Sequence, residues 1–354
     1  MEIVKKRIVF LDVLKAIAIF LVVWGHSMQN LTTDKSYWEY DACIQVIYSF
    51  HMPLFMMISG FFSTSLLKRG LWDVIKKSFI RLIVPSVTWH IGVSVLLFVV
   101  VTLASSHIDW NKLQSIALAS FSAFWFLKAL FLVQIFSCLF AYLFRKYKSI
   151  LAISGGVISI FVLICFLPVA INFVCWFSML PFYLLGLMVR QYAEKCEEYE
   201  QLLMWACLSI FLVLVCIWPH VTFDIYSNPI ACSWDSLLAF LKRTLVGSAG
   251  SLFCYFALKR LLARSTRHYP RIEAVGTMTL GIYIIQRYIV ERGAVHLGGQ
   301  MDALLSSISF VSRTILYDLF ITPAFSLVVI AISYWLILRI RTNKKLKTLL
   351  LGEV

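Results

Sequence analysis

Residues 8–28 read IVFLDVLKAIAIFLVVWGHSM, and this stretch decides the fold. About 20 predominantly apolar residues, rising 1.5 Å each in a helix, cross a hydrocarbon core roughly 30 Å thick. Asp12 and Lys15 are its only charged residues, so it predicts a membrane-spanning helix. Lys5, Lys6 and Arg7 precede it as they would a signal peptide, but the run is long and has no A-x-A cleavage site, so it is expected to stay as the first span.

Similar runs recur along the chain near 43–66, 79–104, 119–143, 149–167, 171–189, 202–218, 235–258, 274–290 and 315–338. The composition agrees: 61% of residues are hydrophobic and 14% charged, where a soluble domain has about 45–50% and about 25%. The predicted fold is all-α, a polytopic integral membrane helical bundle of about ten transmembrane helices, with residues 1–354 forming one domain and no soluble domain between the spans.

An even number of spans places both termini on one side, and basic residues concentrate in cytoplasmic loops. One set of loops and ends holds 23 of the 32 lysines and arginines; the other holds Lys35, Lys112, Arg287, Arg292 and Arg313. Both termini are therefore expected to be cytoplasmic, in a multi-pass protein of the inner or plasma membrane. The formal charge of +14 is then accounted for by topology and contact with anionic membrane lipids, not by nucleic acid. The nine cysteines lie mostly in apolar runs without metal-ligand spacing, so no metal is expected.

With Arg81 and Arg287, at span ends, counted among the loops, four basic residues remain, and they fall within predicted spans: Lys15, Lys128, Lys242 and Arg243. A charge near the bilayer centre is costly and normally faces a cavity. Lys15 and His26 are eleven residues apart, almost three full turns, so they share one helix face at a separation of roughly 16 Å. A cation near the cytoplasmic end and an imidazole near the other suit an elongated ligand with a phosphate head and a reactive far end, lysine holding the phosphate and histidine acting as a base. Against this stands a snorkelling lysine and an interfacial histidine.

His51 in the second span, Lys128 in the fourth, Arg243 in the eighth and Gln286 in the ninth are expected at the depth of His26, in the outer third of the membrane. Lipid-facing polar groups are expensive there, so a shared buried polar cavity is expected. Lys242 and Arg243 point about 100° apart, so only one need face it, and Arg243 is taken as that one. Trp125 fits either the site or an aromatic belt. Ser59 and Gly60 fit helix packing as well as chemistry, and Pro53, Pro85 and Pro181 mark kinks or helix starts.

Six stretches carry a family resemblance: LDVLKAIAIFLVVWGHS (11–27), FHMPLFMMISGFF (50–62), RLIVP (81–85), FWFL (124–127), PFYLLG (181–186) and GTMTLGIYIIQ (276–286). In these, and in their order, the chain resembles the acyltransferase 3 family of multispanning membrane acyltransferases, most of all its fucose acetylase-like branch. Such members modify exopolysaccharides, O-antigens and lipid-linked oligosaccharides. The resemblance implies transfer of an acyl group, most often acetyl, from acyl-CoA bound from the cytosol to a hydroxyl of an envelope glycan or lipid-linked saccharide. It also brings in Arg81 and Asp12 with Lys15 on the donor side, and Tyr283 and Ser59 with Trp125, Lys128, Arg243 and Gln286 as substrate or oxyanion candidates. His26 and His51 are the catalytic candidates, His26 either as base or as a transiently acylated group.

The chain departs from the family at three positions. Lys15 stands where an arginine is usual, keeping the charge but not a bidentate phosphate contact. Ser78 stands where Arg81 usually has an arginine partner, and Gln286 where many members have histidine. Two other classes stay open: a transporter or flippase for an anionic or lipid-linked glycan, which would not depend on acyl-CoA, and a structural partner of a polysaccharide synthase. The sequence does not fix an oligomeric state.

Overall fold

The structure is a computed structural model describing residues 9–33, 41–65, 70–105, 124–147, 178–192, 194–195, 197–218, 234–264, 269–306, 308–309 and 314–353. All regular elements among them are helical, and seven helices are long and apolar enough to cross a membrane: Val9–Asn30, Ala42–Phe61, Leu71–Leu96, Trp125–Leu143, Glu200–Ile217, Leu238–Ala263 and Thr314–Arg341. The chain is an all-α polytopic membrane protein. Of the remaining expected spans, 149–167 lies outside the described residues, as does most of the first half of 171–189, whose second half is the helix Leu180–Tyr192.

The expected span 274–290 is broken into three pieces: helices Pro270–Thr277 and Thr279–Gln286, then a π-helical segment Arg287–Gly293. The break is local chemistry. Gly276, Thr277 and Thr279 are weak helix formers, and the Thr277 hydroxyl donates to the Ala274 carbonyl at 2.7 Å, competing with the helix's own pattern. Gly276 also lets this segment lie against the first helix, because a Cβ there would overlap the Asp12 carbonyl.

Two compact units are distinguished within the chain: Met1–Phe62, Pro181–Pro229 and Ser233–Ile337 in one, Ser63–Leu180, Ile230–Cys232 and Leu338–Val354 in the other. In the first unit, α1 (Val9–Asn30) packs on α2 (Ala42–Phe61) and on the Pro270–Thr277 and Thr279–Gln286 helices, while the long Trp234–Ala263 helix packs on α2 and on Glu200–Ile217. Gly60 of α2 and Gly186 of Leu180–Tyr192 meet backbone to backbone, since a Cβ on Gly60 would overlap the Tyr183 carbonyl and one on Gly186 the Met57 carbonyl. This is small-residue packing of the kind that brings membrane helices close. The last span is bonded to α1: Trp24 Nε1 donates to the Asp318 carbonyl and to Thr322 Oγ1, both at 3.0 Å, and Tyr317 donates to the Met28 carbonyl at 2.8 Å.

In the second unit, the amphipathic helix Leu71–Ser78 passes through a π-helical turn, Phe79–Ile83, into Val84–Ser105, with Pro85 tolerated near that helix's start. Ser78 donates to Gln134 at 2.7 Å. A short C-terminal helix, Lys344–Leu351, is capped by Asn343 and stopped by Gly352 at φ +63, a left-handed conformation that favours glycine. Trp89 Nε1 donates to the Leu350 carbonyl at 2.8 Å, tying this helix to Val84–Ser105.

Candidate functional site

The α1 helix is unbroken from Val9 to Asn30, so Lys15 and His26 do lie on one helix face, near its opposite ends. At the first end, Lys15 Nζ pairs with Asp12 Oδ1 at 3.1 Å, one turn away, and sits 4.2 Å from the centroid of the Phe62 ring. The ammonium thus has a carboxylate and an aromatic face as neighbours within the protein itself.

At the other end, His26 stands in a polar cluster built by three elements. Tyr48 of α2 donates to Gln29 Oε1 at 2.6 Å, so its oxygen is left to accept from His26 Nδ1, 3.5 Å away. That polarity assigns the Nδ1 proton and leaves a lone pair on Nε2. Nε2 faces Glu291 Oε1 at 3.9 Å, too long to consume the lone pair and close enough to stabilise an imidazolium. The other carboxylate oxygen of Glu291 lies 3.4 Å from Arg287 Nη1, and its first oxygen is 3.5 Å from Gln286 Nε2.

His51 lies one layer deeper and is buried. Its Nδ1 is 2.7 Å from the Ile47 carbonyl, which can only accept, so Nδ1 carries hydrogen and Nε2 is the acceptor. Its ring meets Tyr48 edge to face with centroids 4.7 Å apart, so Tyr48 stands between the two histidines. Arg243 is buried, within electrostatic reach of His51, while neighbouring Lys242 turns to the Trp218 ring at 5.4 Å.

The structure brings together His26, His51, Arg243 and Gln286 in the first unit. Tyr283 sits half-buried on the same short helix as Gln286. Ser59 donates to the Phe55 carbonyl of its own helix at 2.9 Å, and Gly60 beside it is a packing residue. Lys128, Trp125 and Arg81 belong to the second unit. There Lys128 is buried, Trp125 opens its helix directly after Phe124, a fully buried residue held at φ +54, and Arg81 is exposed on the π-helical turn. Arg81 has Gly352 packed against its backbone and the Glu353 carboxylate within electrostatic reach, and Arg341 clasps Glu353 with two nitrogens.

Glu291, Tyr48 and Gln29 are absent from the sequence reading, which has Arg287 only as a loop cation. Gln29 and Tyr48 flank the two histidines at ordinary helical spacing and were open to that argument. Glu291 was not. Five residues on an α-helix rotate about 140°, which would aim Glu291 away from Gln286. The π-helical segment, with its i to i+5 pattern, puts the two side by side.

The family whose description is "Acyltransferase domain" matches residues 8–338. The nodulation protein NolL of Sinorhizobium fredii is 27% identical over 300 residues, covering 79% of this chain and 77% of that protein. NolL of Mesorhizobium japonicum is 27% identical over 320 residues, covering 85% and 81%. No solved structure matches. With the family match running from the first helix to the last span, through His26, His51 and Gln286, the chain belongs to the acyltransferase 3 family.

Proposed function

We propose that this membrane acyltransferase moves an acyl group, most simply acetyl, from acyl-CoA entering from the cytosol to a hydroxyl of an envelope glycan or lipid-linked saccharide. The observation that carries the reading is His26, given a defined tautomer by Tyr48 and a carboxylate by Glu291, at the end of α1 remote from Lys15. The two curated relatives are both described as nodulation proteins and both align over most of their length.

In this mechanism His26 Nε2 takes the proton of the acceptor hydroxyl as its oxygen attacks the thioester carbonyl. Arg243 supplies positive charge near the developing oxyanion. The carbon–sulfur bond breaks, and the imidazolium returns the proton to the coenzyme A thiolate, so the products are the ester and the free thiol. Glu291 stabilises the imidazolium between the two steps. Lys15 of the first unit is the cation proposed for the donor's phosphates, and Arg81 of the second unit is a separate candidate for that role. The amino-terminal end of α1 is read as cytoplasmic, in the inner or plasma membrane.

The test compares glycan acetylation by mass spectrometry in cells with and without the gene, and acetyl release from acetyl-CoA by the purified protein. Glycan esters should vanish with the gene and return with it. A change in glycan export with no change in esters, and no use of acetyl-CoA, would support the transporter class instead.

A further inference from the structure

Gln286 is completely buried, and its two amide atoms have different surroundings. A carboxylate repels an amide oxygen and attracts an amide N–H, so Nε2 is the atom that faces Glu291, at 3.5 Å. That orientation leaves Oε1 pointing away from the carboxylate, where no donor among the described residues reaches it. Buried polar atoms are nearly always hydrogen-bonded, and one that is not calls for an explanation such as a missing ligand.

The surroundings say what that ligand would be. Glu291 Oε1 is the common neighbour of Gln286 Nε2 and His26 Nε2, at 3.5 Å and 3.9 Å, so the amide that carries the orphan oxygen and the proposed base border the same carboxylate. Oε1 can only accept, so its partner must be an O–H or N–H. The hydroxyl that loses its proton to His26 cannot also donate to Gln286, because it has one hydrogen. The cluster lies at the Asn30 end of α1, opposite Lys15, where the loop after the helix is held by Thr32 and Thr33 on Asp302.

We infer that Gln286 Oε1 accepts a hydrogen bond from a second hydroxyl of the acceptor, next to the one that is acylated, and so selects acceptors with neighbouring hydroxyls and fixes the position of transfer. The inference rests on the acyl-transfer reading above. Gln286 acts here as a specificity residue that touches substrate but moves no proton.

Gln286→Met removes the amide while keeping length and flexibility. If Oε1 has no partner inside the protein, the one bond the fold loses is the long Nε2 contact with Glu291 at 3.5 Å, and the disappearance of an unsatisfied buried acceptor offsets it. In the detergent-solubilised full chain, the melting temperature should therefore fall no further than it does in Glu291→Gln, and binding of coenzyme A as the probe should match the wild type. In cells lacking the native gene, glycan acetylation should fall by roughly tenfold or more, with the residual ester spread over more than one sugar position. Gln286→His, which restores a ring acceptor, should recover part of the rate and the single position.

Full acetylation at one position by Gln286→Met would overturn the inference, as would a fall in melting temperature larger than the one Glu291→Gln causes by weakening the Nε2 contact, which would mean that Oε1 is bonded within the fold. Loss of coenzyme A binding would overturn it too, by assigning Oε1 to an amide of the donor arm. Intact wild-type transfer in those experiments keeps the acyltransferase reading standing whichever way Gln286 falls, whereas wild-type protein that transfers nothing from acyl-CoA would remove that reading first.

Discussion

The polar clusters around His26 and around Arg81 handle charge in opposite ways. Around His26, four side chains converge on few hydrogens, Nε2 of the proposed base keeps its lone pair, and Gln286 Oε1 has no donor among the described residues. Around Arg81, a partly exposed carboxylate is already supplied: Glu353, clasped by Arg341 and presented by the C-terminal helix. Lys15 resembles the second case, since Asp12 sits 3.1 Å from its ammonium. A reacting centre gains from groups left open for the substrate, because preorganised dipoles stabilise charge that appears only in the transition state. A cation waiting for an anionic ligand gains from a weak internal counter-ion that keeps it solvated and is readily displaced.

The largest effect expected from that contrast is at His26. His26→Gln keeps a hydrogen-bonding side chain but supplies no base, so turnover should fall on the order of 10² to 10⁴ while coenzyme A still binds. Single-turnover transfer and coenzyme A binding, measured on the same purified protein, separate the two. If turnover survives, His51 becomes the base, its Nε2 being the acceptor nitrogen by virtue of the Ile47 bond.

Glu291→Gln comes next. The carboxylate assists only the charged imidazole, and charge-assisted contacts contribute about 1.5–3 kcal/mol, so the turnover number should drop roughly ten- to hundredfold with little change in the Michaelis constant for acyl-CoA. Glu291→Asp should recover part of it. A change confined to the Michaelis constant would move Glu291 from the base to the donor site.

This residue also marks the limit of what the sequence could reveal. The apolar runs and the spacing of Lys15 and His26 were legible, because an α-helix repeats every 3.6 residues and the first helix keeps that period throughout. The shielding of Lys15 by Phe62 and the position of Glu291 beside His26 were not. The first depends on where the chain turns after α2, and the second on a π-helical segment that changes the period within a single turn. The ninth span read as continuous for the same reason: hydropathy averages over the break at Met278.

A smaller effect is expected at Lys15. Because Asp12 already engages the ammonium, Lys15→Ala loses only the net preference for phosphate over that carboxylate, about 1 kcal/mol, and the Michaelis constant for acyl-CoA should rise about fivefold at unchanged turnover. Lys15→Arg should preserve the affinity. Equal losses in the two variants would show that the side chain serves packing against Phe62 instead.

The smallest effect belongs to Glu353, and its sign distinguishes an internal counter-ion from a structural tie. The Arg341–Glu353 pair is partly exposed, with side-chain exposures of 26% and 33%, and such pairs contribute about 0–1 kcal/mol. If Glu353 occupies the place of a donor phosphate beside Arg81, Glu353→Gln frees that place, and coenzyme A should bind up to about fivefold more tightly, with the gain fading as salt is raised. The C-terminal helix should stay docked, because Trp89 on the Leu350 carbonyl and Gly352 against the Arg81 backbone hold it without the carboxylate. Titration of coenzyme A into wild-type and variant protein at two salt concentrations, with the Trp89 contribution to tryptophan fluorescence isolated by difference against Trp89→Phe, reads both properties. Weaker binding together with a changed Trp89 signal would show that Glu353 is there to fasten the helix, and the contrast between the two clusters would then lose its second half.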